Sequence, residues 1–462
     1  MSEQFVDRQS ELEFLEDIYK RNKPSLVILY GRRRVGKTEL ATHFGKGKPT
    51  IYFLADERTD QENLKGLQKS MAEFVKDSLF AKADIKDWVE LFEEFSKKLD
   101  RKAVVIIDEF PYLIKSNKAM PSIFQKIWDT NLSKKDVRLI LLGSSISMME
   151  QHTLSYQSPL YGRRSGQFEL KPLKLKYLKE FFHGRSIEDI IRFYSIVDGI
   201  PLYALKLADQ KASFIENIEE NVMKVGKFLY QEAEFLLKQE FREPAKYFLI
   251  LKAIGFGRNK FGEIANFTGL DKTTISKYLD NLLMLRIIKK DFPVTQKTEA
   301  RNASYVFEDN YFNFWFRFVY PNKTLIEEDR QKDVINSIRA DLELYISRIF
   351  EKVCIEAVFD LYPPLKFNRI GRWWYKDKEI DIVCLDENKK EAMFVECKWS
   401  DLKEKDARKI LEGLKEKSRF VEWERKKEYF GLVGKKVLGK ESLRKEGFFV
   451  WDLEDIEKTL KS

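Results

Sequence analysis

Eight consecutive residues near the start of the chain, Gly31, Arg32, Arg33, Arg34, Val35, Gly36, Lys37 and Thr38, have the types and order needed to cradle a phosphate chain. They satisfy G-x-x-x-x-G-K-[S/T], follow the apolar run SLVILY (25–30) and lead into a helical segment through Glu39. Glycines let backbone N–H groups curl around phosphate oxygens, and the helix start adds its positive end. Lys37 is expected to reach the β- and γ-phosphates and Thr38 to ligate Mg²⁺. Residues 31–39 are therefore the expected binding segment for ATP with Mg²⁺, and ATP hydrolysis is the expected reaction.

Such a site needs an acid at the end of a neighbouring buried strand. AVVIIDEF (103–110) supplies Asp108 for Mg²⁺ and Glu109 beside it, a carboxylate that can polarise the attacking water as general base. One strand further, LILLGSS (139–145) places Ser144 where a hydroxyl could sense the γ-phosphate. Two serines after a glycine also read simply as a turn.

A second constellation lies near the other end, in KEIDIVCLDENKKEAMFVECKWS (378–400). Residues i and i+2 of a strand share a face, so Glu396 and Lys398 point together while Cys397 faces away. Asp381, on the antiparallel neighbour, meets them across the hairpin. Two carboxylates for a divalent metal plus a lysine suit metal-assisted phosphodiester hydrolysis. Glu351, in the preceding helix, is placed to complete the site. An ordinary surface hairpin with alternating charges is the competing reading.

The elements that must carry these residues follow from periodicity. Apolar runs at 25–30, 50–54, 103–108 and 137–143 alternate with helix-length segments, the pattern of a parallel sheet covered on both faces. From 175 to 240 the pattern is helical. Residues 244–310 form a helix–turn–helix unit with Gly269 at the turn, ending in a β-rich stretch. Core spacing there leaves Lys272, Thr273, Thr274, Ser276 and Lys277 outward on the second helix, the types a recognition helix presents to phosphates and base edges. The unit carries 11 Lys/Arg against 7 Asp/Glu. The aromatic run YVFEDNYFNFWFRFVYP (305–321) reads as a packed hinge more than as a base-stacking platform. A long helix is expected over 342–362, strands at 379–385 and 392–398, a charged helix at 401–421, and strands at 429–433 and 448–451.

At 462 residues the chain exceeds one ordinary domain. Its 44% hydrophobic and 34% charged composition is that of a soluble globular protein. No run reaches the roughly 18 apolar residues of a membrane span, and the start lacks a signal-peptide pattern, so a cytoplasmic protein without membrane contact is expected. Cys354, Cys384 and Cys397 show neither disulfide nor zinc spacing. A net charge of +9 and a pI near 9.0 permit nucleic-acid contact without establishing it.

In order, FVDRQSEL (5–12), GRRRVGKT, VVIIDEF, LLGSS, SPLYGRRSGQF (158–168) and GIP (199–201) resemble the archaeal ATPase family within the AAA+/STAND group. The resemblance covers about the first 240 residues. It implies that Arg8 or its neighbours lie beside the adenine and that Ser144 acts as first sensor. It further implies that the GIP turn opens a helical lid and that Arg163 sits at a subunit or domain boundary as a candidate arginine finger. Arg163 and Arg164 read equally as solvated charges, and no second-sensor arginine is evident in the lid. Residues 244–309 resemble a winged helix, and about 340–455 resemble the PD-(D/E)XK nuclease fold, a domain such ATPases often carry. The expected fold is multidomain α/β: a P-loop ATPase core (1–172), a helical lid (173–240), a winged helix (241–320) and a nuclease-like domain (321–462). The expected partners are ATP, DNA and a second copy in a homo-oligomer. The rival expectation is an ATP-dependent switch or DNA-binding regulator whose nuclease fold does not cleave.

Overall fold

A computed structural model describes residues 5–208, 211–296, 303–358, 361 and 366–460. The chain forms two compact units: one ends at Leu173 and takes in Ile200–Leu202, and the other comprises Lys174–Gly199 and the chain from Tyr203 onward. Among the described residues no helix is long and apolar enough to cross a membrane. The three cysteines are buried free thiols.

The first unit is built on strands β1 (Ser25–Tyr30), β2 (Thr50–Leu54), β3 (Ala103–Asp108), β4 (Val137–Gly143) and β5 (Gly166–Glu169), in the order β2-β3-β4-β1-β5. Every pairing is parallel. Every residue of β1, β3 and β4 is buried, which explains why these strands read as continuous apolar runs rather than alternating ones. The four expected strands form as predicted. The fifth, β5, escapes a periodicity reading because it is four residues long and only partly buried. Asp108 ends β3, and the phosphate loop and Ser144 follow β1 and β4, so all three lie at the carboxyl ends of adjacent strands, where open α/β sheets bind ligands.

The second unit begins with helices over 175–240, followed by helices Pro244–Gly255, Phe261–Thr268 and Lys272–Met284. The last of these starts at an Asp271 cap, whose carboxylate accepts the Thr274 N–H at 2.9 Å. Strands β6 (Ile288–Asp291) and β7 (Ser304–Phe307) pair antiparallel; residues 297–302 of the sequence between them lie outside the described residues. The aromatic run is core: Trp315, Phe316 and Phe314 are fully buried, and the Trp315 indole donates to the Tyr230 carbonyl at 2.8 Å.

The long helix runs Gln331–Val358, eleven residues earlier than expected at its start. Val334, Ile338, Leu342 and Tyr345 continue one buried stripe through a charged stretch, and that charge hides the helix's beginning. Most of the expected extension beyond 358 lies outside the described residues. A mixed sheet closes the unit: β8 (Arg369–Tyr375), β9 (Lys378–Asp386), β10 (Glu391–Leu402), β11 (Lys427–Val437) and β12 (Phe449–Trp451), in the order β12-β11-β10-β9-β8. Strand β8 was not expected: RIGRWWY shows neither alternation nor an apolar run, and its register shifts between Gly371 and Trp373. Helix Glu404–Ser418 covers this sheet.

The helix Gln331–Val358 is stitched to helix Ile187–Val197 and the residue after it. The Tyr345 hydroxyl bonds to the Ser195 carbonyl at 2.6 Å, and Lys352 pairs with Asp198 at 2.7 Å. Arg192 pairs with Glu343 at 2.6 Å, and Tyr194 donates to Glu356 at 3.1 Å. On its other side, Phe350 packs on Trp399 of β10.

Candidate functional site

The phosphate loop takes a backbone path that few residues permit. Gly31 has φ +151°, and a Cβ there would lie 2.4 Å from the Leu170 carbonyl oxygen. Gly36, at φ +93°, turns the chain into helix Lys37–Gly45. Arg34 also has a positive φ of 72°. Lys37 is buried and donates to the carbonyls of Gly31 and Arg32, both at 2.8 Å. Arg8 does not reach outward: its guanidinium donates to the Val35 carbonyl at 2.8 Å and to Glu11 at 3.0 Å, bracing the loop from behind. Glu39 is exposed on the first turn of the helix.

Asp108 is buried at the end of β3 and accepts three hydrogen bonds. Oδ2 receives the Thr38 hydroxyl at 2.6 Å and the Tyr52 hydroxyl at 2.8 Å, and Oδ1 receives the Glu109 N–H at 2.8 Å. The oxygens of Thr38 and Asp108 thus lie side by side, and hard oxygen donors of this kind suit Mg²⁺. Glu109 has a left-handed φ of 54°, a conformation that costs energy in a non-glycine residue and gathers at functional sites. Both its carboxylate oxygens accept from the Ser144 hydroxyl, at 2.5 and 2.6 Å. Arg33 approaches the same carboxylate at 3.9 Å and donates to the Tyr112 hydroxyl at 3.3 Å. The loop, Asp108, Glu109 and Ser144 therefore converge. Arg163 pairs instead with Asp129, at 3.0 and 3.2 Å.

Tyr52 escaped the sequence reading. Its signal is the alternation in β2, where Ile51 and Phe53 are buried while Tyr52 and Leu54 are exposed. Loss of water around the hydroxyl itself, and then the Asp108 charge, push its pKa well above the usual tyrosine range, while the ring stays exposed.

In the second unit Asp381, Glu396 and Lys398 come together as expected. The β9–β10 ladder ends at Ile382–Val395, and beyond it the Asp381 carboxylate accepts the Cys397 N–H at 2.8 Å. Lys398 Nζ lies 3.3 Å from Asp381 and 2.6 Å from Glu396. A residue the sequence did not signal, Lys417 of helix Glu404–Ser418, reaches the other Glu396 oxygen at 2.8 Å. Burial opposes the charge on Lys398, but the adjacent carboxylates outweigh it and raise its pKa. Burial also works against ionised Glu396, and the two lysines overcome that and hold its pKa low. Asp381 is raised by burial and by the Glu396 charge.

Glu351 turns to Arg372, at 3.4 Å, which also approaches Asp291 of β6 and Glu379. Burial, then the Asp381 charge, pushes Glu351 up to about 7. Among the described residues no three His, Cys, Asp or Glu side chains are gathered as closely as a ready-made metal centre requires. Asp381 and Glu396 offer suitable oxygens, with the Lys398 ammonium bridging them, and Glu351 faces Arg372 while lying within reach of the Asp381 charge.

Residues 5–207 match the family described as an ATPase domain predominantly from Archaea, and residues 315–410 match a family of archaeal and bacterial proteins of unknown function. The chain belongs to this group of archaeal P-loop ATPases, and its first unit is an ATPase domain. A relative matches it nearly end to end: the uncharacterized protein MJECL04 of Methanocaldococcus jannaschii is 40% identical over 455 residues, 98% of this chain and 99% of the relative. The uncharacterized ATP-binding protein MJ0423 of the same organism is 59% identical over 44 residues, 10% of this chain and 75% of that protein. Among solved structures, the Walker-type ATPase PABY2304 of Pyrococcus abyssi superposes with a TM-score of 0.55 at 24% identity, covering 68% of this chain and 97% of that one, a likeness of fold.

Proposed function

We propose that this ATPase hydrolyses Mg-ATP with Lys37 on the β- and γ-phosphates and Glu109 as general base, and that it acts on DNA. The observation that carries the ATP reading is the convergence of Lys37, Thr38, Asp108 and Glu109 at the carboxyl ends of β1 and β3. Thr38 and Asp108 would hold Mg²⁺, which when bound neutralises phosphate charge and orients the chain for attack. Glu109 draws the proton from the attacking water, and Ser144, on both its oxygens, sets where the carboxylate points. Arg163 serves as an arginine finger only if it leaves Asp129. The experiment is steady-state ATP hydrolysis by the full chain and by Glu109→Gln; equal rates would reject Glu109 as base.

DNA contact is supported by the exposed face of helix Lys272–Met284, where Lys272, Thr273, Ser276 and Lys277 are open to solvent. Each phosphate contact contributes about 0.9 to the log–log salt slope, so Lys272→Ala/Lys277→Ala should flatten it by about 1.8. An unchanged slope would assign these lysines to solvent. At the C-terminal site Asp381 and Glu396 would hold a divalent cation, which when bound activates water at a scissile phosphodiester, and Lys398 would orient that water. The second reading, a regulator that binds without cleaving, is favoured by the two lysines that already balance the carboxylates. Cleavage of duplex and branched DNA, lost in Asp381→Ala while ATP hydrolysis persists, decides for the first; no cleavage by the wild type decides for the second.

A further inference from the structure

We infer that Tyr52 is a positioning residue for the divalent ion of the nucleotide site, fixing the Asp108 carboxylate through its phenolic hydroxyl. The inference rests on the reading that Thr38 and Asp108 hold that ion. Tyr52 sits on β2, an edge strand of the sheet, with 38% of its surface exposed. In register it pairs with Ile106, and Leu54 pairs with Asp108, so the Tyr52 side chain reaches diagonally along the strand to Asp108 Oδ2, at 2.8 Å. A ring this exposed contributes little to the core, and its one polar atom is directed at a carboxylate that is 1% exposed.

The donors around Asp108 differ in what anchors them. Thr38 stands on the first turn of helix Lys37–Gly45, beside the phosphate loop. Tyr52 is anchored in the sheet, so its hydroxyl holds the Oδ2 lone pairs from a second, independent element. A partner behind a metal ligand typically changes metal affinity by about 10–100-fold, because it sets the direction in which the ligand offers its electrons. Phenylalanine keeps the ring and removes only that donor.

The test uses the full chain and Tyr52→Phe, with Thr38→Ala and Asp108→Asn in parallel. Mn²⁺ binding in the presence of ADP is followed by electron paramagnetic resonance, and binding of a fluorescent ADP is measured in EDTA. Tyr52→Phe should weaken Mn²⁺ by about 10–100-fold while metal-free nucleotide affinity and the melting temperature stay as in wild type. In turnover, the Mg²⁺ concentration for half-maximal rate should rise, with kcat recovered at saturating Mg²⁺. Unchanged Mn²⁺ affinity in Tyr52→Phe, with Thr38→Ala and Asp108→Asn both weakened, would overturn the role of Tyr52 alone. Unchanged affinity in all three would overturn the ion site itself. Equal loss of metal-free nucleotide binding in Tyr52→Phe would show a general distortion and also overturn the inference.

Discussion

Two lysines stand at the two candidate phosphate-handling sites, and they rest on different partners. Lys37 rests on the carbonyls of Gly31 and Arg32, whereas Lys398 rests on the carboxylates of Asp381 and Glu396. A carbonyl offers a partial charge, so a phosphate's full negative charge competes well against it for the ammonium. A carboxylate offers a full charge in a buried setting, and leaving it strands that charge. The first site is poised to receive an anion. The second is already balanced, and a ligand there must exchange with ions the protein supplies itself.

The largest effect that would break this comparison belongs to Glu109→Gln. Loss of a general base should slow single-turnover hydrolysis by about 100- to 10,000-fold while fluorescent-nucleotide affinity stays unchanged. Loss of nucleotide binding instead would mean that Glu109 shapes the cradle.

Glu351 gives the second site a pH signature. Its carboxyl is raised from 4.5 to about 7 in the folded chain, so folding takes up a proton, and the stability it contributes is full below about 4.5 and declines up to about 7. In divalent-free buffer at pH 8, Glu351→Gln should therefore be more stable to urea than wild type by about 3 kcal/mol, and equal to it at pH 4. A difference that persists at pH 4 would place its cause in packing.

Lys37→Ala should weaken nucleotide binding by about 10–100-fold, as expected for a lost charge-assisted contact, measured with a fluorescent ADP or ATP analogue. Lys398→Ala, in the other unit, should leave that affinity untouched. The smallest effect is that of Lys417→Ala, whose ammonium is partly exposed. Leaving Glu396 with one ammonium should cost the urea stability about 1 kcal/mol, and less at high salt. A neutral result would show that Lys398 alone balances the site.

The first site was legible because eight adjacent residues carry it and each answers one demand of phosphate binding. Asp108 and Glu109 were legible for a related reason, since a buried strand ending in two acids is visible without a fold. Tyr52 was not, because its role arises from a diagonal across the β2–β3 pair, which only the sheet order reveals. The Asp381, Glu396 and Lys398 set could be read from the two-residue period of a hairpin, but Lys417 and Arg372 could not. They arrive from a helix and a strand whose sequence distance from Glu396 and Glu351 encodes nothing about their approach. Glu351 likewise pairs with Arg372 at 3.4 Å, a partner that its place in the sequence does not announce.

The helix Gln331–Val358 sets a limit on what can be cut out of this chain. A break near residue 321, the expected domain border, would leave the Tyr345 hydroxyl without the Ser195 carbonyl and Lys352 without Asp198. It would also bare the stripe of Val334, Leu342 and Tyr345 to water. An excised fragment of that kind is a sticky remnant, unsuited to expression or to grafting onto another ATPase. A fragment that keeps these contacts begins ahead of Ile187, so the helix at 187–197 serves the C-terminal half as an outlying buttress.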